Sequence, residues 1–336
     1  MAFVRAAVLA NYLDVAKAVG VDGRAQMRRV GLRSSIIETP DALIHSDAVV
    51  SLIEETARIS GVDTVGLRMS QPRSMSGFGV VGLLLAQQPS IRDSLQMVLR
   101  YLPLINESLA LHLEEARDHA LLMEEVLTDT VQPKRQTIEL ALASNLKLFR
   151  NQFGADWAPR AMYFRHSAPA AMDDHQRIFR CRCIFDADFN GMSFARADLD
   201  APNPMADPVL GRYAASLIGA LPNAARNSVA TSVRRLVHLL MPLRRATIKE
   251  AAQAMRCSVR KLQLDLAGES VVFSELLDEA RREQACQYLS NPHFDITQVA
   301  SLLGYVQTNS FTRWFGTNFG MAPSQWRKLQ GKEQQS

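Results

Sequence analysis

Ten side chains in the last third of the chain have the types that address nucleic acid. Four lie in TIKEAAQAMRCSVRKLQLDLAG (247–268): Ser258, Arg260, Lys261 and Gln263. Six lie in ITQVASLLGYVQTNSFTRWFGTNFG (296–320): Gln307, Thr308, Asn309, Ser310, Thr312 and Arg313. Amides make paired hydrogen bonds to adenine, arginine does the same to guanine, and hydroxyls near a helix start suit phosphate oxygens. Any one of them alone reads better as a solvated helix residue than as a DNA contact. Two matched sets on the same plan favour the chemistry.

That chemistry needs a scaffold, and both stretches supply one. In the second, Ile296, Val299, Ala300 and Leu303 share a helical face, with a small alanine where another helix can approach. Gly304 follows four residues later, where a helix ending in a left-handed residue favours glycine. Tyr305 packs back, and Phe311, Trp314 and Phe315 give a second helix its buried side. This is the helix-turn-helix pattern, whose second helix enters the major groove. The first stretch repeats the offsets with Ile248, Ala251, Ala252, Met255, Cys257, Leu262 and Leu266. Arg256 takes its glycine position, at a cost of about 1 kcal/mol if the backbone is left-handed there. Asp265 also runs against the pattern, because a carboxylate on a reading helix repels phosphate unless it accepts from cytosine or a neighbouring Arg. The motifs are placed at about 247–267 and 296–316, joined by one long helix within 270–292.

The surrounding chain divides in two. At 336 residues it is long enough for two cores. DLDAPNPMADPVLGRY (198–213) and ALPNAARNS (220–228) carry the Pro, Asn and Ser of a domain edge, setting expected domains of 1–225 and 226–336. After position 225 there are 15 basic and 9 acidic residues, against 23 and 25 before it. A basic, all-helical tail on a slightly acidic body fits a small module that meets a polyanion. No apolar run approaches the roughly 20 residues of a membrane span, and Asp14 argues against a signal peptide, so the expected location is the cytoplasm, with no membrane partner.

The tail resembles the AraC/XylS transcription regulators. The resemblance rests on ATIKEAAQAMRCSVRKLQLDLAGE, FSELLDEARREQACQYL and DITQVASLLGYVQTNSFTRWFGTNFGMAPSQWRK, the last with LGY, SFTRWF and a G-x-x-P-x-x-W-R run from Gly320 to Arg327. It covers about 228–329 and implies a seven-helix domain with two helix-turn-helix units. Arg256, Asp265 and Gly316 depart from the residues common in that family. YLDVAKAVGVD, MRRVGL, GLRMSQPRSMSGFGVVGLLLAQQPSIRDSLQMVLRYLPLINE and FNGMSFARADLDAPNPMADP resemble the arabinose-binding-type sensor of the branch typified by ornithine-utilisation regulators. The resemblance implies double-stranded DNA, a small-molecule effector and RNA polymerase as partners, and a homodimer formed through the sensor half.

Read from its own residues, the front half is an α+β domain with an antiparallel sheet, so the whole chain is expected to be mostly α. Helices fill most of 5–105, SLALHLEEARDHALLMEEVL (108–127) turns as a hairpin at Arg117 and Asp118, and a helix runs from Pro133 to Phe153. RAMYFRH reads as a strand, and CIFDADFNGMSFA as two more joined at Asn190-Gly191. Nothing there points to catalysis or a cofactor: G-x-S-x-G, Walker and H-E-x-x-H motifs are absent. Gly77, Gly79 and Gly82 lack a preceding strand and read as helix packing, His166 with His175 is a poor metal pair, and Cys181 with Cys183 is too close for an unstrained disulfide. The expectation is a sequence-specific, effector-responsive DNA-binding regulator, an activator. Its rivals are a protein-interaction adaptor with degenerate helix-turn-helix units and an enzyme with a helical regulatory tail.

Overall fold

The structure is a computed structural model and describes all residues except 1, 72–74, 131–132, 221–227, 292–293 and 334–336. The chain separates into two compact units, Met1–Thr128 with Gln132–Asn227 and Asp129–Val131 with Ser228–Ser336. The expected boundary at 225/226 falls on residues outside those described.

In the first unit, strands β1 (Phe3–Arg5) and β2 (Leu43–His45) pair antiparallel, and helices α1 (Tyr12–Ala18), α2 (Gly23–Arg29), α3 (Ser46–Ser60) and α4 (Val65–Ser70) pack around Leu9, Tyr12, Met27, Leu52 and Ile53. Helices α5 (Gly79–Ala86) and α6 (Ile91–Ile105) follow. Ser90 caps α6 by accepting from the Asp93 backbone N–H, and Ile91, Leu95, Val98 and Leu102 recur at helical spacing on its buried face.

Strands β3 (Leu109–Glu115) and β4 (His119–Val126) form the expected hairpin about Ala116–Asp118. After α7 (Arg135–Phe153) come β5 (Ala161–Tyr163), α8 (Asp173–Phe179), β6 (Arg182–Ile184), β7 (Asn190–Ala195) and α9 (Pro208–Gly219). The five-stranded sheet has the order β3-β4-β7-β5-β6. Along α7, Ile138, Leu142, Leu146 and Phe149 join sheet residues Leu122, Met162, Met192 and Phe194 in one core.

Two expectations for this sheet are corrected. It is mixed, because β5 and β6 pair in parallel with α8 as their crossover. Asn190 and Gly191 are not a turn between two strands: they begin β7, which lies between β4 and β5 and does not pair with β6. A Cβ on Gly191 would sit 2.5 Å from the Leu122 carbonyl oxygen, so the glycine serves close strand approach.

The second unit is all helix: α10 (Val229–Leu240), α11 (Ile248–Ala254), α12 (Val259–Gly268), α13 (Phe273–Ser290), α14 (Ile296–Leu302), α15 (Thr308–Phe319) and α16 (Pro323–Glu333). Helices α11 with α12 and α14 with α15 are the two expected helix-turn-helix units. The first packs on α10, the second on α13, and α10 packs on α13. A buried chain of hydrogen bonds joins those two supports: Gln284 Nε2 donates to His238 Nδ1 at 2.9 Å, and Tyr288 Oη donates to Gln284 Oε1 at 2.7 Å.

Candidate nucleic-acid interface and ligand cavity

The two units share their turns almost atom for atom. Arg256 and Gly304 donate to the carbonyls of Gln253 and Ser301, and Cys257 and Tyr305 to those of Ala252 and Ala300. Arg256 adopts φ +53° and Gly304 φ +80°, so the arginine does hold the left-handed position that glycine fills in its twin. A Cβ on Gly304 would also lie 3.2 Å from the Met241 carbonyl oxygen. The second turn has one residue more, the exposed Val306.

Ser258 caps α12, its hydroxyl accepting from the Lys261 backbone N–H at 3.2 Å. Leu262 and Leu266 are buried, while Ser258, Arg260, Lys261 and Gln263 are exposed. Asp265 is paired within the helix, with a lysine rather than the expected arginine. Lys261 Nζ lies 2.9 Å from Asp265 Oδ2, one turn on, and the carboxylate raises the lysine pKa by that hydrogen bond. The pair keeps Asp265 from acting as a bare repulsive charge, and it withdraws part of the Lys261 charge from any phosphate.

Helix α15 follows the same plan with aromatic anchors. Phe311 and Phe315 are fully buried, and Trp314 packs against Phe311 and Tyr305. The Arg281 guanidinium from α13 stands 4.5 Å over the Tyr305 ring, and its Nε donates to the Leu303 carbonyl, so the long helix grips the turn. Burial raises the Tyr305 phenol to about 12. Gln307, Asn309, Ser310 and Arg313 are exposed, whereas Thr308 and Thr312 are half-buried. The Thr312 hydroxyl donates to the Thr308 carbonyl at 3.0 Å. Eight of the ten predicted side chains therefore belong to the two second helices, and Ser258 and Gln307 are the residues that immediately precede them. Of the ten, eight stand on exposed positions. Leu264, 65 % exposed on α12, lies on the same face, and its apolar type gave no polar signal in the sequence.

The match of the chain to known proteins follows the same two units. Residues 20–203 match the N-terminal arabinose-binding domain of AraC transcription regulators, and residues 229–329 match a helix-turn-helix domain. The chain belongs to the AraC family of transcription regulators. It is 26% identical over 332 residues to the HTH-type transcriptional regulator VirS of Mycobacterium tuberculosis, covering 98% of this chain and 97% of VirS. It is 22% identical over 320 residues to the ornithine utilization regulator of Pseudomonas aeruginosa, covering 94% of each. The crystal structure of the regulator CdpR from Pseudomonas aeruginosa aligns over 94% of this chain and 98% of its own, at 17% identity and a TM-score of 0.46. This AraC-family regulator contains, among its described residues, no helix long and apolar enough to cross a membrane.

Its sensor unit holds a cavity of about 90 Å³ between β1, the α6–β3 turn and α7. Val4, Val8, Ile105, Leu109, Val126 and Leu140 give it mainly apolar walls. Polar atoms are few. Thr137 Oγ1 is buried without a hydrogen-bond partner, Asn145 Nδ2 donates to Glu124 at 2.6 Å, and Arg5 Nη1 donates to the Gly77 carbonyl at 2.9 Å. Gly77 and Phe78 line one part of the space, and α7 supplies its long side. His166 and His175 come together on a carboxylate: their Nε2 atoms lie 3.3 and 2.9 Å from Glu139 Oε1, which Arg135 Nε also reaches. Cys181 and Cys183 are free thiols at the start of β6, with the Cys183 thiol pushed up by its neighbour and by burial.

Proposed function

We propose that the protein is a sequence-specific, effector-responsive transcription activator of the cytoplasm that reads two adjacent boxes of double-stranded DNA. The supporting observation is the duplication: two turns of matching hydrogen bonds present two second helices whose outer faces carry Arg260, Gln263, Asn309 and Arg313. In this reading Gln263 and Asn309 address adenine and Arg260 and Arg313 guanine. Ser258, Lys261, Gln307, Thr308, Ser310 and Thr312 set the phosphate register. Two heads fixed on α10 and α13 suit successive turns of major groove about 34 Å apart.

The effector belongs in the sensor cavity, whose walls suit a small, mainly apolar molecule with one polar end near Thr137. It acts by binding one arrangement of the molecule more tightly than another, and that arrangement engages RNA polymerase. Dimerisation runs through the sensor unit, where Leu210, Tyr213 and Leu217 leave one side of α9 apolar and exposed. We assign no catalytic role to either unit.

The test is selection of fragments from random duplex DNA by the full-length protein, then titration of the best fragment across salt concentrations. Recovery of a two-box sequence with affinity falling steeply as salt rises supports the reading. Failure to enrich any sequence, with and without candidate effectors, removes it and leaves the adaptor reading in its place.

A further inference from the structure

Counting outward from the buried pairs Leu262/Leu266 and Phe311/Phe315 sets the two reading helices in register. Arg260 then corresponds to Asn309, Lys261 to Ser310, Gln263 to Thr312, and Leu264 to Arg313. On a helix, the residue midway between two buried residues four apart points directly away from them. Leu264 and Arg313 therefore stand at the outermost line of their helices, where a helix-turn-helix faces the floor of the major groove.

A leucine on that line, 65 % exposed, contributes little to the core of its own unit. A single exposed leucine is ordinary on a protein surface. This one is flanked by Arg260 one turn before it and Gln263 beside it, both exposed and both able to hydrogen-bond a base edge. The major groove offers one apolar group at the base edges, the C5-methyl of thymine. We propose that Leu264 reads thymine in the first box by packing its methyl groups on that C5-methyl, while Arg313 at the matching place reads guanine in the second. The two heads, alike in backbone, thus recognise different sequences. With the Lys261 charge shared with Asp265, the first head depends more on such apolar contact than the second does. The inference rests on the regulator reading above.

The test uses the full-length protein and its selected two-box fragment, with each thymine replaced singly by deoxyuridine, which removes the methyl and nothing else. At one or two positions of one box, the replacement should weaken the wild-type protein about fourfold, the worth of one methyl group kept from water. Leu264→Ala should bind the thymine fragment correspondingly less well and show no further loss with deoxyuridine at those positions. Arg313→Ala should keep the full deoxyuridine effect, because its contact lies in the other box. Since Leu264 is exposed, an unchanged melting temperature for Leu264→Ala shows that the fold is intact. Two-box binding with no deoxyuridine effect anywhere, or an equal effect in wild type and Leu264→Ala, overturns the assignment of Leu264 while leaving the regulator reading standing. Failure to select any sequence defeats both.

Discussion

Arg313 has no ion pair or side-chain hydrogen bond among the described residues, and Asn309 stands one turn before it on the same exposed face. Replacing either by alanine therefore disturbs no internal contact, and any loss of affinity reports on DNA. Each is expected to cost about 1–3 kcal/mol on the selected fragment and far less on random duplex. Equal losses on both DNAs, in side-by-side titrations, would remove base reading from these two residues. Asp265 tests the opposite sign. Its bond to Lys261 is between exposed groups and adds little to stability, so Asp265→Asn should leave the melting temperature nearly unchanged. Freed of its partner, Lys261 should raise affinity for random DNA and steepen the salt dependence by about one phosphate contact. A flat response would place Lys261 away from the backbone.

Helix-turn-helix units are local structures, and that is why the sequence revealed them. The buried residues of α14 and α15 recur within a turn or two, and Gly304 marks the bend between them. Even Arg256, which breaks the glycine pattern, keeps the left-handed backbone because the helices on each side hold it there. The sensor sheet is another matter. Strand β7 sits between β4 and β5, far from either in sequence, and β6 joins β5 in parallel through α8, so no local pattern gave the order. The Asn-Gly pair at 190 and 191 has the composition of a tight turn, yet tertiary packing uses the glycine for its missing side chain. At the second turn both demands meet in one residue. Gly304→Ala must hold φ +80° with a Cβ 3.2 Å from the Met241 carbonyl, and should destabilise the helical unit by about 1–2 kcal/mol. Urea unfolding of the full chain, followed by the fluorescence of Trp314 and Trp326 in Trp157→Phe background, measures it. An unchanged midpoint would mean that the turn relaxes without loss.

Across the whole molecule, the proposed response to an effector begins in a sensor where Asn145, which lines the cavity, holds a buried acid behind it. Glu124 is 1% exposed, hydrogen-bonded by Asn145, and pushed up to about 8, mainly by burial. Because its folded pKa lies above the unfolded value, the stability that comes from burying the neutral acid is complete below about pH 4.5. It is lost progressively as pH rises toward 8, at up to about 1.4 kcal/mol per pH unit. The melting temperature of the sensor should therefore fall between pH 5 and 8. Glu54, also pushed up to about 8 by burial, contributes to that slope as well, and Glu124→Gln should remove about half of it while keeping an oxygen for Asn145. Identical slopes would show that Glu124 does not titrate in this window. The cavity itself is tested by closing it. Ala141 lines the space from α7 and is half-buried, so Ala141→Phe projects a ring into it. Some overpacking cost, about 1–3 kcal/mol, is expected and is read from the melting temperature without ligand. A compound that binds the wild type stabilises it by about 2.7 kcal/mol at a hundred times its Kd, and that gain should vanish in the variant. DNA affinity without effector should be the same in both proteins, since the reading helices are untouched. Equal stabilisation of wild type and Ala141→Phe by the same compound would move the effector site away from this cavity. Loss of stabilisation with DNA affinity retained would tie the cavity to the ligand and leave the two reading heads as an independent part of the machine.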